Sequence, residues 1–312
     1  MFGRLCAMAA KDLETTDPAV QAEGMTLGEH LNELRVRLFK GVVVVLVLFF
    51  IAWGFRDRIV DVLEGPFTRF VDMYRVYWID LLEERLADDP ELARTTYFLN
   101  DDPADLRLLP KYDVPDRLQV IGVSEAFMFK LKGCLYAALF VGGPFLLWQL
   151  WGFIAAGLYK KERRVLLSYF PTSIILFFSG IAFGYFVMVP YAMYFLGMEA
   201  SPDQVQAGHT MSQYLVFLSS LSLALGVVFQ LPIILTALAR LELVRAKTFA
   251  SYRGHFALLS FVLAAIITPP DPITQSMMAG PMIILYELGI WAAYMAQPKA
   301  IIPEGELEAD AG

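Results

Sequence analysis

Long, nearly uncharged apolar runs alternate with short charged turns along most of the chain. The runs are Leu38–Phe55, Gly133–Phe153, Val165–Pro190 and Tyr214–Ala239, followed by two shorter ones, Phe256–Thr268 and about Gln275–Met295. A helix needs about 20 predominantly apolar residues to cross a hydrocarbon core of roughly 30 Å. The fifth run has 13 residues, about 20 Å of helix, and Pro269-Pro270 ends it. A re-entrant hairpin with the sixth run would put two charged loops on one side with no crossing between them. Two short crossings through a locally thinned bilayer fit better. The pattern predicts an all-α polytopic membrane protein of six transmembrane helices, the fifth and sixth of them short.

Lys and Arg in short loops set the orientation. Lys160, Lys161, Arg163 and Arg164 follow the second run, and Arg240, Arg245, Lys247 and Arg253 follow the fourth, whereas Tyr191–Gln213 and Thr268–Thr274 contain neither residue. Both termini are therefore expected in the cytoplasm. Composition agrees with the pattern: 57% of the chain is apolar and 18% charged, against about 45–50% and about 25% in soluble domains. The mean hydropathy of +0.53 excludes a disordered chain or a coiled coil, and a net charge of −7 disfavours nucleic acid as a partner. Two cysteines, Cys6 and Cys134, cannot build a disulfide framework.

The membrane domain is expected over residues 26–295, between cytoplasmic tails at 1–25 and 296–312. The first tail has too short an apolar stretch before Lys11 and Asp12 for a cleavable signal peptide. A long external loop, 67–131, interrupts the domain. Its stretch Thr68–Gln119 carries 12 acidic and 7 basic residues, and long loops translocate largely regardless of charge. Phe70, Tyr74, Trp78, Leu81, Leu82 and Leu86 fall at helical spacing there, which suits a helix lying at the outer membrane–water interface. Prolines at 90, 103, 110 and 115 punctuate the rest of the loop.

Catalytic signals are missing. His30, His209 and His255 share no metal-binding spacing, and there is no HExxH, no phosphate-cradling glycine loop and no serine elbow. No enzyme, metal or cofactor is expected. Before the first run the chain reads TLGEHLNELRVRL; Thr26 followed by Glu29 fits a capping box, so a helix should start in the cytoplasm and run into the membrane. Glu29, Glu33 and Arg37 step along one face of it.

The string HLNELRVRL, residues 30–38, resembles the N-terminal signature of the TatC family, the multispan receptor of the twin-arginine protein translocase. Pro66 sits where the family has a proline after its first span. PFLLWQLWGFIAAGLYKKERR (144–164) resembles the second span and the cytoplasmic turn after it, and SGIAFGYFVMVP (179–190) the end of the third. LGVVFQLPIIL (225–235) looks like the fourth span, and TPPDPITQSMMAGPMIILYELG (268–289) like the last external turn and sixth span. The resemblance covers roughly residues 26–295, apart from the long external loop.

The resemblance implies recognition of twin-arginine signal peptides borne by folded substrate proteins. It also implies a concave bundle in a prokaryotic inner membrane, multi-copy assembly among membrane lipids, and TatB-like and TatA-like single-span partners at the fifth and sixth spans. Glu33, Arg35, Arg37, Phe153 and Glu162 match its cytoplasmic signal-binding region, with Arg35 expected to orient the acidic residues or meet lipid phosphates. Gln230 stands where many members have Glu. Glu287 is a second polar residue within a span, a functional candidate by default together with Gln230. Pro66, Asp271 and Gln275 match family loop positions, and Asp271 is also placed to cap the sixth helix. The alternative is a secondary transporter of a small solute or proton, with Gln230 and Glu287 lining a midplane site; no repeat between the two halves supports it.

Overall fold

The computed structural model describes residues 27–88, 118–158, 160–199, 210–268 and 271–297. Thr26 of the expected capping box, both tails and the proline-punctuated part of the external loop lie outside them. The described chain is helical: α1 (Leu27–Gly54), α2 (Arg56–Asp88), α3 (Glu125–Ala156), α4 (Lys160–Ser168), α5 (Phe170–Phe183), a π-helical turn (Gly184–Met188), α6 (Val189–Glu199), α7 (Met211–Val228), α8 (Leu231–Arg240), α9 (Ala246–Ser251), α10 (Arg253–Ile267) and α11 (Pro272–Ala296). Five segments are long and apolar enough to cross a membrane: 28–54, 125–156, 162–197, 211–240 and 272–296. The shorter apolar helix α10, 15 residues, stands between the last two.

Of the two helices expected to be short, α11 is not. It has 25 residues, because Asp271 caps it and Pro272 occupies its first turn, where a missing N–H costs nothing.

α1 and α3 form an antiparallel hairpin whose register is set by small residues on α3. A Cβ on Gly152 would meet the Arg37 guanidinium, and one on Gly142 would sit 3.1 Å from Leu48; Gly41 of α1 faces Leu146 in turn. At the far end Trp53 meets Phe127 edge-on at 5.9 Å. The third and fourth spans approach more closely still. A Cβ on Gly180 would lie 2.6 Å from the Leu225 carbonyl oxygen, and one on Gly184 would lie 2.8 Å from the Ser222 Cα. Gly180 and Gly184 against Ser222 and Gly226 form a small-xxx-small contact, which lets backbones touch where lipid offers no hydrophobic drive for association.

The expected loop boundary at residue 67 falls inside α2, which runs unbroken through Pro66. Leu63, Phe67, Phe70, Val71 and Tyr74 are buried with Met188, Val189, Met193, Leu215 and Leu218 in the largest core cluster, so this part of the helix packs on the protein itself; the side chains of Trp78, Leu81, Leu82 and Leu86 lie outside the described ones.

Two prolines explain how the contact holds. Pro66 has no N–H for the Val62 carbonyl, and that oxygen accepts from the Tyr185 hydroxyl of the π-helical turn. Pro190 likewise has no N–H to offer the Phe186 carbonyl four residues before it, and Arg69 Nη1 of α2 donates to that oxygen at 3.2 Å. Each helix thus satisfies the backbone that the other's proline frees. Tyr214 adds a third tie, its hydroxyl donating to Leu63 O at 2.6 Å. Nearby, Glu125 joins α3 to α7 by accepting from Ile121 N at 2.8 Å and Ser212 N at 2.9 Å.

Candidate functional site

The hairpin register brings four signature residues to one end of α1 and α3. Glu33 and Arg37, one helical turn apart, form an ion pair: Arg37 Nε and Nη2 both reach Glu33 Oε1, at 2.7 and 2.5 Å. Their side chains are 31% and 19% exposed, so the pair is more enclosed than a surface i,i+4 contact. Gly152 makes the room, because any side chain there would strike the guanidinium. Since both donors use one oxygen, Glu33 Oε2 has no partner among the described residues. Arg37 therefore holds the carboxylate in place and leaves half of its acceptor capacity open.

Beside this pair, His30 stacks on Phe153 with ring centroids 4.3 Å apart and planes 23° from parallel. Its Nδ1 is buried without a hydrogen-bond partner among the described residues. Two apolar cavities meet at Phe153. One, about 420 Å³, is the groove between α1 and α3 running from Leu34 to Leu46. The other, about 280 Å³, lies between the end of α3 and α8, with Trp151, Leu166 and Ile234 in its wall.

Glu162 is half-buried in the first turn of α4. One turn further on, Leu166 packs with Trp151 and Ala155, which carries Glu162 to the same end of the hairpin as Phe153. Arg163 and Arg164 are exposed. Arg35 is exposed and has no hydrogen-bond or ion-pair partner among the described residues. The orienting role expected of Arg35 toward Glu33 thus falls to Arg37, which shares its helix face.

Gln230 is 5% exposed and lies at the break between α7 and α8. Trp151 Nε1 donates to Ser173 Oγ at 2.9 Å, Ser173 Oγ donates to Gln230 Oε1, and Gln230 Nε2 returns a hydrogen bond to Ser173 O at 3.1 Å. The amide is satisfied by the third span, not by backbone that Pro232 frees. Glu287 pairs with Arg253 Nε at 2.9 Å, both half exposed. Arg253 opens α10, so Glu287 lies level with the charged end of the last hairpin, and the two polar residues share no midplane site.

At the opposite end of that hairpin, Asp271 Oδ1 accepts from Thr274 N at 2.7 Å and Gln275 Nε2 donates to Phe261 O at 2.9 Å. Both tie the turn between α10 and α11. Sequence reasoning missed Gly152, His30 and Ser173 as parts of these constellations. His30 and Gly152 fall inside the family-like strings, but nothing local marks what they face.

The profile of the family described as Sec-independent protein translocase protein (TatC) matches residues 29–281. The chain is 34% identical over 281 residues to the Sec-independent protein translocase protein TatC of Halothiobacillus neapolitanus, covering 90% of this chain and 65% of that one. With the protein of the same name from Desulforapulum autotrophicum it shares 35% over 279 residues, 89% of this chain and 87% of the other. Its fold superposes on a crystal structure of the twin-arginine translocase receptor TatC with a TM-score of 0.63 at 28% identity, covering 86% of this chain and 99% of that one.

Proposed function

Since the chain belongs to the Sec-independent protein translocase (TatC) family, we propose that it is the receptor and core subunit of a twin-arginine translocase. In this reading it binds twin-arginine signal peptides of folded proteins at its cytoplasmic face, in a prokaryotic inner membrane with both termini inside. The observation that carries the reading is the half-open carboxylate of Glu33. Arg37 already demonstrates the chemistry, since a guanidinium docks on Oε1 while Oε2 has no partner among the described residues. A signal-peptide arginine takes Oε2, and the adjacent arginine takes Glu162. A guanidinium is a planar fork of donors suited to two such bonds, whereas an ammonium is a point charge, so Arg-Arg is preferred to Lys-Lys. Phe153, stiffened by its stack on His30, offers a flat apolar surface beside the arginines.

The partners in this reading are TatB-like and TatA-like single-span subunits on the fifth and sixth spans. Support comes from the lipid-facing side of α10, where Leu258 and Ile266 are 68% and 75% exposed, and from its length of 15 residues, which thins the bilayer at the docking place.

The test is binding of a twin-arginine signal peptide and its Lys-Lys counterpart to the purified protein, repeated with Glu33→Gln and Glu162→Gln. Each substitution removes the charge from a charge-assisted hydrogen bond worth about 1.5–3 kcal/mol, so binding of the Arg-Arg peptide should weaken at least about tenfold. Equal binding of both peptides by all three proteins would overturn the assignment.

A further inference from the structure

α1 is the least covered of the long helices, with 11% of its most apolar stretch buried against 28–50% for the others. Its groove with α3 is walled by hydrocarbon except for Arg37 and Gln149. On the open rim Leu38, Val42 and Leu46 are 66%, 49% and 49% exposed. At about 100° per residue, Arg35 stands within about 20° of Val42 and of Leu46 on the helix. The Arg35 guanidinium, without a partner among the described residues, is therefore at the water end of that same rim, and long cationic side chains extend toward the interface. On the other rim Arg37 is already occupied by Glu33.

We propose that the α1–α3 groove is a phospholipid site, with the phosphate on Arg35 and one acyl chain along Leu38, Val42 and Leu46. Leu34 to Leu46 is about 18 Å of helix, close to the depth of one leaflet's hydrocarbon, about half of 30 Å. Size separates this occupant from a peptide. A helix about 10 Å across over the same length occupies on the order of 1,400 Å³, so it can lie against the open groove but not sink into its 420 Å³. An extended peptide fits by volume but leaves its backbone amides without partners on a hydrocarbon wall. An acyl chain has no amides to satisfy, and its headgroup phosphate matches the exposed Arg35 guanidinium. The N-in orientation places the lipid in the cytoplasmic leaflet, and its occupancy does not depend on peptide recognition.

The test uses the full chain, purified in detergent, washed free of lipid and titrated with dioleoylphosphatidylglycerol under native mass spectrometry. One bound lipid is expected, and none with dioleoylglycerol, which lacks the phosphate. Arg35→Gln should weaken that adduct about tenfold, and Val42→Trp, which fills the groove, should abolish it with the thermal unfolding curve unchanged. Leu46→Trp is the replacement if Val42→Trp fails to fold. A lipid adduct undiminished in both the arginine and the groove-filling variant would overturn the site. So would loss of twin-arginine peptide binding on filling the groove with lipid occupancy untouched, which would assign the groove to the peptide.

Discussion

Gln230, Ser173 and Trp151 form a closed chain of donors and acceptors across three spans. Every polar atom in it has a use, so cutting one member strands another away from water, at about 1–3 kcal/mol per stranded group. Gln230→Leu and Ser173→Ala should each lower the midpoint of thermal unfolding in detergent. Together they should lower it by clearly less than the sum of the two, because they break the same unit. Additive losses would mean that the side chains act separately. The sequence identified Gln230 by its polarity inside an apolar run, but its partner lies 57 positions away and is an ordinary serine by every local measure.

A second residue gives a pH signature. Burial first, and then the nearby charge of Asp61, push the Glu64 carboxyl above its ordinary value. A group raised on folding contributes fully below its unfolded value, about 4.3 for glutamate, and that stability is lost as pH rises through the folded value. Glu64→Gln should therefore melt above the wild type at neutral pH and coincide with it below about pH 4, as read from unfolding midpoints across that range.

At the scale of elements, the hydrophobic pattern located the spans because lipid demands long apolar runs, and that demand leaves a strong mark on sequence. It did not reveal that α2 continues through Pro66. A proline in mid-helix normally signals a break, since it removes a hydrogen bond and strands a carbonyl. Here the stranded Val62 oxygen is rescued by Tyr185, 123 residues further along, and no local reading could supply that donor. Tyr185→Phe removes the hydroxyl and keeps the ring. It should cost about 1–3 kcal/mol through the unsatisfied carbonyl, seen as a lower unfolding midpoint and faster amide exchange around Leu63 and Phe67. Unchanged exchange there would show that the tyrosine does not hold this stretch of α2. The start of α11 was legible, since Asp271 stood where a cap would, but its length was not, because apolarity marks only the lipid-facing stretch of the helix that begins at that cap.

Over the whole molecule, the order of helices and the hairpin end that gathers Glu33, Arg37, Phe153 and Glu162 were legible from motif order. The relation among those residues was not. Which arginine meets Glu33 depends on helix face and on the space left by Gly152, a fact that belongs to two helices at once. The partner docking proposed at the short fifth helix belongs to this scale as well. Inserting four leucines into α10 lengthens it by about 6 Å, enough to remove the local thinning. Export of a twin-arginine substrate from cells carrying that variant should fall sharply; export at the wild-type level would separate helix length from assembly.

The reciprocal proline ties also have a consequence in time. Val62 is synthesised well before Tyr185, so its carbonyl has no such donor until the third span is made. The ribosome delivers about 5–20 residues each second, so the 123 residues between Val62 and Tyr185 take roughly 6–25 s at that rate. For that interval α2 lacks the Tyr185 donor for its Val62 carbonyl and has an uncovered aromatic face. This contact therefore cannot mature in the order in which it is made. It is completed only when the third span arrives, so a chain stalled before that point carries an unfinished helix that quality-control proteases can recognise.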